Sequence, residues 1–366
     1  MSAILSPSKH HQNTSGPFEN PWPPVLTMFA SAISLLRFPF ERATPLEHDL
    51  HGVATIESRK PDWSILDQAE DRVGACWLGH AGFLVQLPTG SRPRPIRIVF
   101  DPIFSERAYP SAWVGPIRRL PAPCQVEDLP EVDFVAVSHN HYDHCDLEAL
   151  KAIHNRFPVV AFLVPLGVKT TLVSEGGIAD SQVHELDWWD ELVFPDIAVR
   201  FHCTPAQHNS GRGVRDRNYS LWCGWAVSTL SEGAPSVYFA GDTGYQTADG
   251  PCPVFREIGE RLGPFELAMV PIWSGATLTF LGKLGYRLSD DAHIATMHAT
   301  PEDAVHLAQD VRAQHTLAMH FATFAGTDDE ALEPLVRLAR AQDGTADWRK
   351  ENGVGAIHVG ECVILN

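Results

Sequence analysis

Short apolar runs, each closed by a polar or glycine-bearing turn, recur along the chain from about residue 73 onward. Their β-branched and aromatic content predicts strands over 74–78, 83–87, 96–100, 134–138, 159–164, 199–203, 221–229, 236–240, 267–271, 316–320 and 356–359. Between them, apolar positions at helical spacing predict helices over 147–156, 167–175, 254–262, 301–313 and 329–342. Several helices carry start signals: Asp146 before Leu147, Pro253 before Val254, and Thr300-Pro301-Glu302-Asp303, where Thr300 caps and Asp303 reaches back. Strands alternating with helices point to a layered α/β protein.

The polar residues that follow these strands carry the chemistry. Behind the apolar run Phe134-Val135-Ala136-Val137 stands Ser138-His139-Asn140-His141-Tyr142-Asp143-His144, with four metal-ligand side chains. Imidazole and carboxylate suit zinc and similar borderline ions. Alternation along an extended chain aims His139 and His141 to one side, and a turn after Tyr142 swings Asp143 and His144 toward a second position. His208, Asp242 and His320 stand at the ends of later predicted strands, and clustered strand ends are a common address of sites in layered α/β proteins. These seven candidates are too many for one tetrahedral ion and suit two ions sharing a carboxylate. Asp242, in a Gly-Asp-Thr-Gly turn, is the natural bridge. Two metals roughly 4 Å apart activate a water and stabilise charge on a substrate oxygen, which implies hydrolysis of an ester, amide or phosphodiester. Asp101, after Ile98-Val99-Phe100, is read either as the orienter of a ligating histidine or as a turn cap.

Composition narrows the partners. At 366 residues the chain holds two domains or one large α/β unit, and 44% hydrophobic residues suffice for a sizeable core. A net charge of -17 argues against nucleic acid, but bound divalent cations would reverse the local potential and allow a lipid phosphate. Seven scattered cysteines form no disulfide framework, so a reducing, cytoplasmic setting is expected. Cys145 adjoins the histidine motif, but adjacency does not make it a ligand. Residues 1–70 are read as an extension, disordered over 1–20 and with a loosely amphipathic helix over 24–40. That helix is too short, and too interrupted by Arg37 and Pro39, to span a bilayer; it would dock on the core or on a membrane surface. Residues 71–366 form the hydrolase domain, in which 272–300 reads as a long loop or lid-like insertion.

The motif His139-x-His141-x-Asp143-His144 with later His208, Asp242 and His320 is similar to the metallo-β-lactamase superfamily. Finer features resemble its N-acyl-phosphatidylethanolamine-hydrolysing phospholipase D family: Asn20-Pro21-Trp22-Pro23, Trp77-Leu78-Gly79-His80-Ala81, Asp101-Pro102-Ile103-Phe104-Ser105, Glu185-Leu186-Asp187-Trp188-Trp189, Thr204-Pro205-Ala206-Gln207-His208, Phe239-Ala240-Gly241-Asp242-Thr243-Gly244-Tyr245 and Pro301-Glu302-Asp303-Ala304-Val305. The resemblance implies an αββα sandwich with two zinc ions at one edge. By that analogy His139, His141 and His208 hold one ion, Asp143, His144 and His320 the other, and Asp242 bridges, which makes Asp143 and Asp242 the catalytic carboxylates. It further implies attack of a bridging hydroxide on the phosphorus of an N-acyl-phosphatidylethanolamine, giving phosphatidic acid and an N-acylethanolamine. Tyr142 and His298 align with substrate-contacting positions. Homodimers and peripheral attachment to intracellular membranes are also implied. The chain departs from the family after Pro271, where Trp273 to Arg287 replaces a short segment rich in aromatic and charged residues. Two other readings stand beside this one: a soluble dinuclear hydrolase of the same fold acting on another phosphodiester or lactone-like ester, and a non-catalytic relative, against which the complete ligand set speaks.

Overall fold

The apolar runs pair into two seven-stranded sheets in a computed structural model of the chain, which describes residues 10, 17–23, 40–43, 55–89, 92–109, 113, 115–213, 215–231, 233–273, 283–289 and 295–365. One sheet runs, in spatial order, Cys362–Ile364, Gly74–Gly79, Gly82–Leu87, Ile96–Phe100, Phe134–Ala136, Ala161–Pro165 and Val183–Leu186. The other runs Gly353–Gly355, Ala313–Met319, Phe265–Pro271, Ser236–Phe239, Gly224–Thr229, Val199–Thr204 and Glu191–Phe194. Each sheet is antiparallel in one half and parallel in the other.

The sheets face each other through aromatic rings. Phe100 stacks on Phe239 with centroids 4.8 Å apart, and Phe134 meets Phe201 at 4.9 Å. On the outside, helices Leu147–Arg156 and Val168–Ser174 cover the first sheet, bringing Leu150, Ile153 and Leu172 against Leu84, Val99 and Phe162. Helices Val254–Leu262, Pro301–Asp310 and Asp328–Ala341 form the layer on the second sheet. The result is the four-layered αββα sandwich that the resemblance implies. Cover on both faces explains why the central strands are continuously buried, and apolar except at Gln86 and Arg97, rather than alternating.

The start signals act as the sequence predicts. The Asp146 carboxylate accepts from the Ala149 N–H at 3.3 Å; Thr300 Oγ1 accepts from the Asp303 N–H at 3.1 Å, and Asp303 returns the bond to the Thr300 N–H at 3.3 Å.

Other expectations shift. The strand expected over 356–359 does not form; its residues link Gly353–Gly355 of one sheet to Cys362–Ile364 of the other. The crossover turns at Gly360 (φ +82°), where a Cβ would sit 1.8 Å from the Arg59 carbonyl oxygen, so the chain must bend there rather than extend. The helix expected to reach 313 ends at Asp310, because Arg312 takes φ +62° and Ala313 opens a strand. The edge strands Val183–Leu186 and Glu191–Phe194 escape the sequence reading: they are short and partly exposed, so they lack a continuous apolar run. The helix expected over 24–40 lies outside the described residues, apart from Phe40, which opens the strand Phe40–Arg42 paired with Tyr286–Leu288. Part of the expected 272–300 loop is thus a strand. From the N-terminal extension, Phe18 and Trp22 pack on the main core. All seven cysteines are buried and unpaired, and among the described residues no helix is long and apolar enough to cross a membrane.

Removing the reciprocal cap should have a measurable cost. Thr300→Ala is expected to lower the unfolding free energy by about 1 kcal/mol in urea titration, with an unchanged denaturant slope.

Candidate metal centre

The donor side chains converge from loops of both sheets at one edge of the sandwich. The first sheet supplies the Ser138–His144 loop, after its strand Phe134–Ala136; the second supplies His208, Asp242 and His320, after the strands ending at Thr204, Phe239 and Met319. Two of these loops approach so closely that only glycine fits. At Gly241 (φ +62°) a Cβ would lie 2.7 Å from both Ser138 Cβ and the Cys223 carbonyl oxygen, and at Gly244 it would lie 2.1 Å from the Thr296 carbonyl carbon. The Gly-Asp-Thr-Gly turn is therefore pressed against the histidine loop, and Asp242 enters between the donor groups.

The first group is three imidazoles. His139 Nε2 lies 2.8 Å from His141 Nδ1, which lies 3.3 Å from His208 Nε2. Surrounding oxygens set two of the tautomers. His139 Nδ1 is 2.8 Å from Ser138 Oγ, whose own proton goes to Asp101, and His208 Nδ1 is 3.0 Å from the Met297 carbonyl. Each Nδ1 therefore donates, and each Nε2 turns a lone pair inward. Inward lone pairs at this spacing are satisfied by a proton on His141 Nδ1 or by a cation among them; tetrahedral zinc with bonds of about 2.1 Å separates its ligands by roughly 3.4 Å.

The second group combines His144, His320, Asp143 and Asp242. Asp242 Oδ2 lies 3.1 Å from His144 Nε2 and 3.0 Å from His320 Nε2, and Asp143 Oδ2 lies 3.6 and 3.5 Å from the same two nitrogens. Asp242 Oδ2 also lies 3.6 Å from His208 Nε2, so this one carboxylate reaches both groups. Asp101 is fully buried, and its two oxygens receive the Ser138 N–H at 2.7 Å, the Ser138 hydroxyl at 2.5 Å and His144 Nδ1–H at 2.6 Å. The orienting reading of Asp101 is the one the geometry supports, and the same carboxylate steadies both donor groups.

Protonation follows burial and charge. Burial, with neighbouring histidines, holds His139 and His208 well below the usual imidazole range, so both are neutral lone-pair donors. Burial would also lower His144 and His320, but the carboxylates around them prevail: His144 is held well above its ordinary value and His320 is raised to about 9. Burial alone would push Asp143 and Asp242 up, yet the adjacent imidazoles hold both well below the carboxylate range.

Several polar atoms here are buried without a hydrogen-bond partner: His80 Nδ1, His144 Nε2, both nitrogens of His320, Asp242 Oδ1 and His298 Nδ1. The rings of His144 and His320 approach Asp242 to about 3 Å without the direction a hydrogen bond needs. Each orphan costs about 1–3 kcal/mol of desolvation, and those gathered at Asp242, His144 Nε2 and His320 Nε2 among them, call for a common partner. Clustered imidazole and carboxylate donors fit a divalent metal.

Around the donors lies a cavity of about 420 Å³ with His141, Asp143, His208, Asp242, His298 and His320 on its polar side and Trp273, Met297, Phe321 and Phe324 on its apolar side. His298 Nδ1 stands 3.7 Å from Asp242 Oδ2. Tyr142 instead lines an adjacent cavity with Tyr109 and Arg212; its hydroxyl donates to the Arg212 carbonyl at 2.8 Å, and the Arg212 guanidinium lies over its ring at 4.0 Å. Sequence reasoning gave no role to His80, whose Nε2 meets Asp143 Oδ2 at 2.9 Å. Its signal was available, since it too is a polar residue closing a fully buried strand. Also missed were three buried indoles that hold the loops: Trp77 Nε1–H donates to the His80 carbonyl (2.8 Å), Trp222 to Ala206 (2.9 Å) and Trp225 to Val137 (3.1 Å).

Known proteins resemble this chain in sequence and fold. A family model described as the beta-lactamase superfamily domain matches residues 96–321. The N-acyl-phosphatidylethanolamine-hydrolyzing phospholipase D 1 of Caenorhabditis elegans is 37% identical over 299 residues, which cover 80% of this chain and 76% of the worm protein. The mitochondrial N-acyl-phosphatidylethanolamine-hydrolyzing phospholipase D of Saccharomyces cerevisiae is 32% identical over 256 residues, 69% of this chain but 48% of the yeast protein's length. Among solved structures, an isothiocyanate hydrolase from Delia radicum gut bacteria superposes with a TM-score of 0.53 over 79% of this chain and 98% of its own, at 18% identity, a likeness of fold alone.

Asp101→Asn tests the orienting carboxylate. The amide keeps the shape but loses one acceptor oxygen, so divalent-metal affinity, measured by chelator competition, should fall by about 10–100-fold while the far-ultraviolet circular dichroism is unchanged. Sequence, fold and donor chemistry agree: the chain belongs to the metallo-β-lactamase superfamily and, within it, to the metal-dependent hydrolases of the N-acyl-phosphatidylethanolamine-hydrolysing phospholipase D family.

Proposed function

We propose that the chain is a dinuclear zinc phosphodiesterase that hydrolyses N-acyl-phosphatidylethanolamine to phosphatidic acid and an N-acylethanolamine. The observation that carries this reading is one cavity lined by both the metal donors and large apolar side chains, which suits a substrate with a phosphodiester next to hydrocarbon. The relatives named for this reaction support it. In this reading His139, His141 and His208 hold one zinc ion, Asp143, His144 and His320 hold the other, and Asp242 serves both. Two bound zinc ions would supply a water of lowered pKa and neutralise charge on the phosphoryl oxygens.

The residues of the chain do the rest. Trp273, Met297, Phe321 and Phe324 take up acyl chain and exclude water from the donors. His298, its Nδ1 buried and unpartnered beside Asp242, offers a hydrogen bond to the substrate at the reacting end. Tyr142, engaged with Arg212, contacts the substrate only where it extends into the adjacent cavity. In the balanced reaction an oxygen from water bonds to phosphorus, the P–O bond to the ethanolamide breaks, and the proton from water ends on the released alcohol.

Lipid entry fits the loop that lines the cavity through Ala108 and Pro116. On it Trp113 is 89% exposed, and Tyr109 and Ile117 are also exposed; such side chains settle at a membrane interface. A cytoplasmic place at the surface of intracellular membranes, the division into residues 1–70 and 71–366, and a homodimer belong to this proposal.

The test is mass spectrometry of a mixed phospholipid extract incubated with the protein. Phosphatidic acid and N-acylethanolamines should appear together, and Asp242→Asn should reduce turnover at least about 1,000-fold, the loss of several kcal/mol of charge stabilisation, with an unchanged fold. Hydrolysis of water-soluble phosphodiesters or lactones without any phospholipid product would replace this reading with the soluble-hydrolase one.

A further inference from the structure

We propose that His80 is a positioning residue of the second donor group: it fixes the carboxylate of Asp143 and ties it to the loop that carries His320. The proposal rests on the metal-centre reading above and deepens it. Asp143 needs such an anchor. Its side chain is 28% exposed, against 0% for His144 and 8% for His320, so its carboxylate is the donor of this group that water can pull away. His80 Nε2 lies 2.9 Å from Asp143 Oδ2. His80 itself is 5% exposed, so its N–H gains nothing by turning to solvent.

The turn that presents His80 is held from three directions. Its own N–H donates to Thr323 Oγ1 at 2.7 Å, and its carbonyl receives Trp77 Nε1–H at 2.8 Å and the backbone N–H of His320 at 3.0 Å. Both partners of that last bond are non-glycine residues in the left-handed region, His80 at φ +53° and His320 at φ +62°. Such conformations persist where surrounding contacts over-determine them, and they cluster at functional sites. The His80 ring lies 4.0 Å from the His320 ring and edge-on to Phe324 at 5.1 Å. One side chain thus spans Asp143, from the first sheet's loop, and His320, from the second's.

Geometry separates this role from that of a ligand. His144 and His320 turn Nε2 to within 3.1 Å of Asp242 Oδ2, whereas His80 turns Nε2 to the carboxylate of Asp143. An Nε2–H spent on a carboxylate has no lone pair to give a cation, which leaves only the buried, unpartnered Nδ1 with one.

Metal-free protein titrated with zinc against a chromophoric chelator reads the two affinities directly. His80→Phe keeps the ring packing but removes the donor, and should loosen one of two equivalents by about 10–100-fold while the other holds its wild-type affinity. His80→Gln, whose amide N–H reaches the same carboxylate, should recover most of the loss. Wild-type affinity at both equivalents in the Phe variant would overturn the proposal. So would failure of the Gln variant to recover, since the ring nitrogen itself would then be the ligand. Should the Phe variant not fold, nitrogen NMR of labelled histidine in the zinc-loaded wild type decides: a protonated, unmetallated Nε2 on His80 supports the role, and a metallated one sinks it. No lipid enters the titration, so loss of one affinity without any phospholipid turnover would count against the substrate reading alone.

Discussion

Two neighbouring carboxylates, the buried Asp242 and the half-buried Asp143, impose the constraint around which the molecule is organised. An isolated buried carboxylate is intolerable and would simply take up a proton. Here both stay ionised because His144 and His320 stand within 3.6 Å, and because the imidazoles of the first group add donors that turn lone pairs rather than charges toward the same place. Buried anions and neutral nitrogens in one cavity, several without hydrogen-bond partners, form a divalent-cation site by electrostatics alone. Asp101 extends the logic inward: a buried carboxylate, satisfied by Ser138 and His144, decides which nitrogen of His144 faces the cavity and takes the Ser138 hydroxyl proton, leaving that oxygen to accept from His139 Nδ1–H.

Site geometry and core packing are one problem in this fold. Trp77, Trp222 and Trp225 are among the largest fully buried side chains, and each uses its indole N–H to hold a carbonyl of a loop carrying a donor or its partner. A phenylalanine would fill most of the same volume but leave that carbonyl unsatisfied. The loops so held also carry backbone strain. His80, Asp101, His320 and Ala322 all lie in the left-handed region, at a cost of order 1–3 kcal/mol each, which the packed sandwich behind them offsets. The donor side chains are thus braced by residues that stand behind them.

The overall acidity of the chain and its proposed anionic substrate are reconciled locally. With a net charge of -17 the surface as a whole repels a phosphate, so attraction must come from cations held in the cavity, while the apolar wall contributes through burial of hydrocarbon. Its large side chains are Phe321, directly after His320, Phe324 four residues on, and Met297 and Trp273. Apolar lining and donor residues are therefore adjacent in the chain at its C-terminal half.

Much of this was legible in the sequence where signals are local. Continuous apolar runs announced the central strands because both faces are covered, and Asp146 and Thr300 marked helix starts because caps act within one turn. The seven donors were legible because each follows a buried strand, and the structure brings all seven together. What escaped were edge strands without continuous apolar character, the crossover at Gly360, the role of His80 and the pinning indoles, all of which depend on partners distant in the chain: His80 meets Asp143 across 63 positions and its N–H meets Thr323 across 243. The sequence by itself determined which side chains hold the donor chemistry and that they stand at strand ends. Only the tertiary structure decided which nitrogen faces inward, which carboxylate reaches both groups and which histidine steadies another residue, because those choices are set by hydrogen bonds between loops from opposite sheets.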